Sequence, residues 1–284
     1  MQKNQNRDKE KEEIIRIINK VVKGLDIEAV CMYGSRIAGY ANEESDYDLI
    51  VVINNYAKKV RYKYIYDKIE ISAIFVDKNS IITDAEEGSL GEFVIGRLLN
   101  PYDVLINPEF FDKIEIKYKK RIILEIIDNL QIRYRSLTEY LRIPSEFFLF
   151  NRLRFRMRIY PPVKYSYIMT YSGKINSRNV KQSVKGFNEA AKLLQKDSQL
   201  QYDKGVVRLI TNGKNNPIIR GYRKNKNRLK ISKRIIIHYY VHLLAGRVNY
   251  NIALKELFSK INRKKNMKEV PKHLTEPEKL LKIV

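Results

Sequence analysis

The sequence predicts an α+β protein in which a small mixed sheet is followed by a mostly helical region. Short apolar segments of strand length occupy residues 28–76, whereas apolar residues after residue 110 recur every three or four positions, as on one face of a helix. The charge changes at the same place: residues 1–110 carry 15 Lys and Arg against 19 Asp and Glu, and the remainder carries 40 against 13. We therefore predict two domains, residues 1–108 and residues 109–284, each with its own core.

Apolar spacing and turn residues predict the elements of the N-terminal domain. An amphipathic helix is predicted over about residues 9–24, ending at Gly24. A short helix over residues 89–99 ends at Asn100, because the proline that follows disfavours helical backbone in the residue before it. Four strands are predicted between these helices, the last two as a hairpin: residues 28–33, 46–53, 60–66 and 69–76.

Long helices are predicted in the second domain. Spacings of three and four residues predict helices over residues 123–141 and 180–194. Residues 235–244 are apolar nearly all round, which predicts a buried helix. The last stretch, residues 263–284, is polar, and we expect little order there.

No segment of the sequence is typical of a membrane or secreted protein. The N-terminus is polar and charged, and the apolar run near residues 235–246 is interrupted by His238 and His242 and is shorter than the about 20 residues that span a bilayer. The single cysteine, Cys31, permits no internal disulfide and fits a reducing compartment. We predict a soluble cytoplasmic protein that does not associate with a membrane.

Two carboxylates, Asp46 and Asp48, stand one residue apart at the start of an apolar strand. Because strand side chains alternate, both project from one face while Leu49 and Val51 project from the other. Two carboxylates this close repel each other unless a cation lies between them. Mg²⁺ prefers oxygen ligands and keeps waters and substrate phosphates in its coordination shell, so the pair predicts a site for hard divalent ions.

A Gly-Ser turn precedes this pair by ten residues. Gly34 permits a tight turn and close approach of a ligand, and Ser35 offers a hydroxyl and a backbone N–H. If residues 36–38 begin a short helix, its free N–H groups favour a phosphate, and Arg36 adds a charged donor or lies on the surface. The turn and the carboxylates together predict a site for a nucleoside triphosphate.

The segment YGSRIAGYANEESDYDLIVV, residues 33–52, resembles the nucleotidyltransferase domain of the DNA polymerase β superfamily in its minimal form. That family has a Gly-Ser or Gly-Gly pair, a spacer of about this length and an Asp-x-Asp or Asp-x-Glu on the next strand. Four further positions agree with the usual residues of minimal members: Arg36, Gly39, Ser45 and Leu49. The resemblance covers about residues 28–76, extending at most to residue 108, and no family is recognised in the basic part.

The resemblance implies magnesium-dependent nucleotidyl transfer from an NTP. Asp46 and Asp48 would hold two Mg²⁺ ions, an acceptor hydroxyl would attack the α-phosphate, and pyrophosphate would leave. Family members usually supply a third carboxylate from a later strand. We predict Glu70 for this role, because its apolar neighbours make a charge costly there without a partner. The alternatives are other carboxylates nearby in the sequence: Asp67, Asp77, Asp84 and Glu86.

Basic residues of the second domain predict a nucleic-acid surface. The first group alternates with hydrophobic residues: Arg152, Arg154, Arg156 and Arg158. The second is denser and is predicted to lie in a loop: Arg220, Arg223, Lys224, Lys226, Arg228 and Lys230. Arginines contact phosphates and interleaved tyrosines stack on bases in nucleic-acid grooves, although the same pattern also fits tyrosines in a core beneath a solvated basic face.

These features lead to one favoured function and two alternatives. The favoured function is a magnesium-dependent nucleotidyltransferase that adds a nucleotide to an RNA end, with tRNA among the candidates. In the first alternative the acceptor is a protein side chain or a small molecule, as in nucleotidylating toxins and antibiotic-modifying enzymes. In the second the protein binds nucleic acid and its transferase domain is inactive. The net charge of +27 after residue 110 favours a polyanionic partner.

Overall fold

The computed structural model describes residues 2–209, 224–246 and 270–283. The part of the chain before residue 108 contains three helices and five strands. Its elements are, in chain order, α1 (Gln2–Val21), β1 (Ile27–Tyr33), α2 (Ser35–Ala38), β2 (Tyr47–Ile53), β3 (Val60–Tyr66), β4 (Glu70–Asp77), α3 (Lys78–Glu87) and β5 (Asp103–Ile106), with a 3₁₀ helix at Ile95–Leu99 before β5.

The described residues from 108 onward are mostly helical. Their helices are α4 (Pro108–Tyr134), α5 (Ser145–Ile159), α6 (Lys164–Thr170), α7 (Asn176–Lys196), α8 (Lys224–Leu244) and α9 (Lys272–Thr275). Short strands lie between and after them: β6 (Leu141–Pro144), β7 (Gln201–Asp203), β8 (Val206–Arg208) and β9 (Lys282–Ile283). Four 3₁₀ helices complete this part, at Arg135–Tyr140, Pro161–Val163, Gly173–Ile175 and Pro277–Leu280. The predicted fold class, a mixed sheet followed by a mostly helical region, is confirmed.

The N-terminal sheet has five strands in the order β3-β4-β2-β1-β5. β2 and β4 run parallel, and every other neighbouring pair is antiparallel. β2 lies in the middle because its residues are apolar on both sides: Leu49 and Val51 pack on one face of the sheet, and Ile50 and Val52 on the other. The predicted hairpin of β3 and β4 is confirmed, with Tyr64 opposite Ser72.

Each face of the sheet is covered by different helices. On one face, Ile14, Ile17 and Ile18 of α1 are almost completely buried against the sheet. On the other face, the buried cluster that includes Ile50 and Val52 continues without a break through α3, α4, α5 and α7. One buried cluster is therefore shared by both parts of the chain, and a boundary near residue 108 would separate the sheet from α4, α5 and α7 on this face. The division into residues 1–108 and 109–284 stays a prediction.

Three local predictions differ from the structure. Residues 78–87 form a helix that the apolar pattern did not predict; Asp77 caps its start by accepting from Ser80 N–H, and Gly88 ends it with a left-handed φ of 74°. The predicted helix over residues 89–99 is reduced to the 3₁₀ helix at its end. The predicted helix over residues 123–141 belongs to α4, which begins at Pro108 and ends at Tyr134.

Two regions of the second part also differ from prediction. α8 was expected to be a buried helix, but within the part of the chain that the structure describes His238 is buried, whereas Ile236 and Leu243 are more than half exposed. The C-terminal stretch was expected to have little order, yet residues 270–283 form α9 and β9 and bury Leu274 completely. β9 adds to a four-stranded sheet of order β7-β8-β6-β9, which the sequence did not predict. None of the described helices is long and apolar enough to cross a membrane.

Candidate active site

The Gly-Ser turn and the Asp46–Asp48 pair meet at one end of the N-terminal sheet. β1 and β2 are antiparallel with Tyr33 opposite Asp48, so the residue after Tyr33 lies beside that aspartate. Gly34 has a φ of 85°, and a Cβ built on it would lie 2.0 Å from Oδ2 of Asp48. Only glycine therefore fits here, both because the backbone is left-handed and because the Asp48 carboxylate occupies the space of a side chain. The predicted association of turn and carboxylates is thus present in the structure.

The turn continues into α2, whose C-terminal end is held by the second part of the chain. Nη2 of Arg178 donates to the carbonyl oxygens of Ile37 and Ala38, at 3.2 and 3.0 Å. Nδ2 of the completely buried Asn179 donates to the Ala38 carbonyl as well, at 2.9 Å. These bonds satisfy carbonyls that a helix leaves without partners at its C-terminus. The position of the signature turn therefore depends on α7.

Arg36 supports the loop that leads to Asp46. Its Nε donates to the Ser45 carbonyl at 2.9 Å, Nη2 contacts the same oxygen, and the guanidinium lies 4.2 Å from the centre of the Tyr47 ring. Tyr47 packs on the face of the sheet that α1 covers, opposite to the face of Asp46 and Asp48. Arg36 therefore positions the loop before Asp46. Its contact with a nucleotide stays a prediction, because the contacts described for its guanidinium are with Ser45 and Tyr47.

Asp46 comes directly before β2 and Asp48 is the second residue of that strand; both are half-buried. On the parallel neighbour β4, Ser72 stands opposite Asp48 and Ile71 opposite Tyr47, so Glu70 occupies on β4 the place that Asp46 occupies on β2. Residues opposite each other on adjacent strands share a face. The structure therefore brings Glu70 to the same end and the same face of the sheet as the two aspartates.

Glu70 is exposed, so the predicted cost of placing its charge among apolar neighbours does not apply. It begins β4 at the edge of the core, and its carboxylate accepts a hydrogen bond from the Tyr64 hydroxyl at 2.6 Å. Burial, this bond and the charge of Asp46 together raise the pKa of Tyr64 above its usual value, and the contribution of Asp46 indicates that it lies near the Tyr64–Glu70 pair. Among the described residues, no group of three or more His, Cys, Asp and Glu side chains is close enough to hold a metal ion.

The alternative third carboxylates all have structural roles elsewhere. Asp77 caps α3, and Asp84 is completely buried and accepts from the N–H groups of Leu90, Glu92 and Ile95. Asp67 and Glu86 pair with Lys20 and Lys117 at the surface. Glu70 remains our prediction for the third carboxylate.

Tyrosines contribute to the site in a way that the sequence did not reveal. Tyr40 lies near Asp48, whose charge adds to burial in raising the pKa of this tyrosine, and its hydroxyl is 3.1 Å from Oγ of Ser166 in α6. The hydroxyl of Tyr62 on β3 contacts Oγ of Ser72, next to Asp48. From the sequence, the spacing of two residues between Tyr62 and Tyr64 predicts that both lie on the same face of β3. No local pattern predicts a contact between residues 40 and 166.

Two of the arginines predicted to bind nucleic acid are buried, and their assignment is wrong. Arg152 contacts Glu92 and donates to Glu125 at 3.2 Å, and Arg156 donates to the Glu92 carbonyl at 3.0 Å and to the Tyr167 hydroxyl at 2.8 Å. Both side chains are at least nine-tenths buried. The alternation of cations and hydrophobes falls on a helix, α5, so these two arginines turn inward and neutralise the buried glutamates.

Arg154 and Arg158, on the same helix, lie at the surface. They line a cavity of about 490 Å³ together with Arg133, Lys279, Glu276 and Glu278. Arg154 donates to both carboxylate oxygens of Glu278, one of them at 2.6 Å. The cavity contains four cationic and two anionic side chains, so an excess of positive charge faces solvent there.

The second basic group lies partly outside the described residues. Arg220 and Arg223 fall outside the described residues. The backbone of Lys224, Lys226, Arg228 and Lys230 is helical and forms the start of α8, so the prediction that these four residues lie in a loop is wrong.

Alanine at position 34 is expected to damage both stability and function. The added Cβ would collide with the Asp48 carboxylate, and the left-handed backbone costs a non-glycine residue about 1–3 kcal/mol. Gly205 is a matched control: it has the same φ of 85°, but nothing lies within 4 Å of the place that a Cβ would take there. Urea unfolding should show a larger loss of stability in Gly34→Ala than in Gly205→Ala, which carries the backbone strain without the collision, and ligand binding and catalysis at this site should fall only in Gly34→Ala. Equal functional loss in Gly205→Ala would contradict the collision argument.

Residues 12–92 match the family model described as Polymerase beta, Nucleotidyltransferase. This match confirms the resemblance seen in residues 28–76 and extends it over the second half of α1 and over α3. No curated protein matches the sequence significantly. Among solved structures, the chain is similar to a nucleotidyltransferase-like protein from Exiguobacterium sibiricum 255-15, with 9% identity, 95% of this chain and 89% of that chain covered, and a TM-score of 0.29.

Proposed function

We propose that the protein transfers a nucleoside monophosphate from an NTP to a hydroxyl at an RNA end, with tRNA among the candidate acceptors; the match of residues 12–92 to the polymerase β nucleotidyltransferase family supports the transfer chemistry. The observation that supports this proposal most directly is the contact of Gly34 with the Asp48 carboxylate. Through this contact the Gly34-Ser35 turn, which can bind phosphate, lies beside the carboxylate pair, which can bind metal ions. A metal–triphosphate site requires at least these two parts.

The residues at this end of the sheet fit magnesium in their chemistry. Asp46 and Asp48 would hold the ions, and Glu70 on the next strand would complete the set of hard oxygen ligands. When bound, two Mg²⁺ ions supply charge neutralisation for the triphosphate and lower the pKa of the acceptor hydroxyl. In the proposed reaction a bond forms between the acceptor oxygen and the α-phosphorus, and the bond from the α-phosphorus to the bridging oxygen breaks, which releases pyrophosphate.

The chain's own residues have separate parts in this reaction. Gly34 lets the phosphates approach the backbone, and Ser35 offers its hydroxyl and N–H to them. Glu70 lies on the side of Asp46 away from the turn, where its carboxylate is a suitable acceptor for the proton of the attacking hydroxyl. Arg36 holds the loop before Asp46 in place.

The charge of the second part supports RNA as the acceptor. Residues after 110 carry a net charge of +27, and the cavity beside Arg154 and Arg158 has more cations than carboxylates. A phosphate backbone bound to such a surface releases counterions, which makes binding strongly dependent on salt. An acceptor without phosphates would gain little from this charge, so a protein or small-molecule acceptor is the second candidate.

A labelling experiment tests the proposal. The protein is incubated with Mg²⁺ and each labelled NTP in turn, together with total RNA or with total protein. We expect label in RNA, and we expect RNA binding to weaken steeply as the salt concentration rises. Label in the protein pool would favour the second candidate. Absence of transfer to either pool would contradict enzymatic activity and favour a nucleic-acid-binding protein with an inactive domain.

A further inference from the structure

The sheet order places the parts of the site in a row across one face. From β1 to β3 this row consists of the Gly34 turn, then Asp46 and Asp48 on β2, then Glu70 and Ser72 on β4. The row ends on the edge strand β3, where Tyr64 stands opposite Ser72 and Tyr66 opposite Glu70. Residues opposite each other in the sheet share a face, so both tyrosine rings lie on the face of the carboxylates.

Tyr64 and Tyr66 form an aromatic pair at the open end of β3. Their ring centres are 4.5 Å apart with the planes tilted by 46°. Tyr64 is held by its hydrogen bond to Glu70, whereas Tyr66 is 68% exposed. The opposite end of β3 is covered, because the Tyr62 N–H donates to the Ala245 carbonyl at the end of α8, at 2.7 Å. Along β3, the exposed aromatic surface therefore lies where the strand reaches the carboxylates.

The order of the row decides which part of a substrate lies beside these rings. With the triphosphate between the Gly34 turn and the aspartates, the attacking hydroxyl lies beyond the aspartates, on the side of Glu70. The nucleotide that carries this hydroxyl then reaches β3. Aromatic rings bind unpaired bases by stacking, whatever the base, and this is how single-stranded nucleic acid is commonly held.

We propose that Tyr66, supported by Tyr64, is a stacking platform for the unpaired terminal base of an RNA acceptor. This inference rests on the proposed function, because it takes the acceptor to be an RNA end. It assigns the acceptor's last base to β3, whereas the phosphates of the RNA would be bound by the basic residues of the second part of the chain.

Binding of a short single-stranded oligoribonucleotide, labelled at its 5′ end and followed by fluorescence anisotropy, tests the platform in the full-length protein. Tyr66→Ala should weaken this affinity about tenfold, and Tyr66→Phe should retain it, because stacking requires the ring and not the hydroxyl. Tyr140→Ala is the matched control, since Tyr140 is 50% exposed in the 3₁₀ helix after α4 and should leave the affinity unchanged.

The outcomes separate this inference from the proposed function. If the wild-type protein transfers nucleotides to RNA but Tyr66→Ala binds the oligoribonucleotide as tightly as wild type, the platform is refuted and the function stands. If no transfer is detected but Tyr66→Ala still lowers the affinity, the function is refuted and the platform stands. A loss of ATP affinity in Tyr66→Ala with unchanged oligoribonucleotide affinity would assign the rings to the incoming nucleotide and overturn the proposal.

Discussion

Replacement of Asp48 by asparagine is expected to lower nucleotidyl transfer at least about 10³-fold, which corresponds to about 4 kcal/mol of activation free energy. The change removes one negative charge from the place where the metal–triphosphate complex would bind, while the size of the side chain stays the same. Asp46→Asn should have an effect of the same order, because the two carboxylates act on the same ions. Initial rates of labelled-NMP transfer at saturating Mg²⁺ measure the loss.

The fold of these variants should be intact. Removing one of two neighbouring carboxylates relieves their repulsion, so the thermal midpoint should not fall. Asp197→Asn is a suitable control. Asp197 forms an exposed ion pair with Lys120, and both residues lie in the part of the chain after residue 108, distant in sequence from Asp46 and Asp48. Glu70→Gln should also lose activity, and Glu86→Gln, which removes a surface partner of Lys117, should not. Full activity in Asp48→Asn would remove the basis of the enzymatic proposal.

Replacement of Glu92 by glutamine is expected to have the largest effect on stability. Glu92 is 2% exposed and lies among Arg121, Arg152 and Arg156, and it also accepts from the Tyr118 hydroxyl at 3.0 Å. Breaking a buried ion pair on one side leaves the other charge without compensation, which costs about 3–5 kcal/mol. The glutamine variant leaves this arginine cluster with less negative charge, so the midpoint of urea unfolding should fall markedly.

The pH dependence of stability provides a second readout. Burial alone would raise the pKa of Glu92, but the guanidinium groups of Arg152, Arg121 and Arg156 hold it well below its usual value. A carboxyl with a lowered pKa stabilises the fold above its unfolded pKa, and this contribution is lost as the pH falls through the folded pKa. The wild-type protein should therefore lose stability in acid more steeply than Glu92→Gln. Glu189→Gln, which removes an exposed partner of Lys192, should match the wild type in both measurements.

The sequence predicted the site better than it predicted the surface around it. Gly34, Asp46 and Asp48 are close in the chain, and the strand that follows the aspartates is apolar on both faces, so local pattern was sufficient to bring them together. Arg152 and Arg156 were misread because their partner Glu92 lies 60 and 64 residues away. An arginine that neutralises a distant buried glutamate and one that faces solvent have the same local sequence, and only the tertiary fold distinguishes them.

The missed elements have a similar explanation. α3 has few apolar residues, and its start and end are set by Asp77 and Gly88, which are weak signals beside a strong strand pattern. The exposure of Glu70 was also misjudged, because its apolar neighbours in the chain do not show that it begins β4 at the edge of the core. For α8, apolar residues on every side predicted burial, but among the described residues Ile236 and Leu243 are more than half exposed, and His238, on the buried side, contacts the Gly91 carbonyl.

The hydrogen bonds from Arg178 and Asn179 to α2 limit how the protein can be divided. A fragment that ends at residue 108 would retain every residue of the family match. It would nevertheless leave the C-terminal carbonyls of α2 without these donors and would expose the sheet face that α4, α5 and α7 cover. We therefore expect residues 1–108 alone to lose the shape of the Gly34-Ser35 turn, because its supporting contacts come from α7.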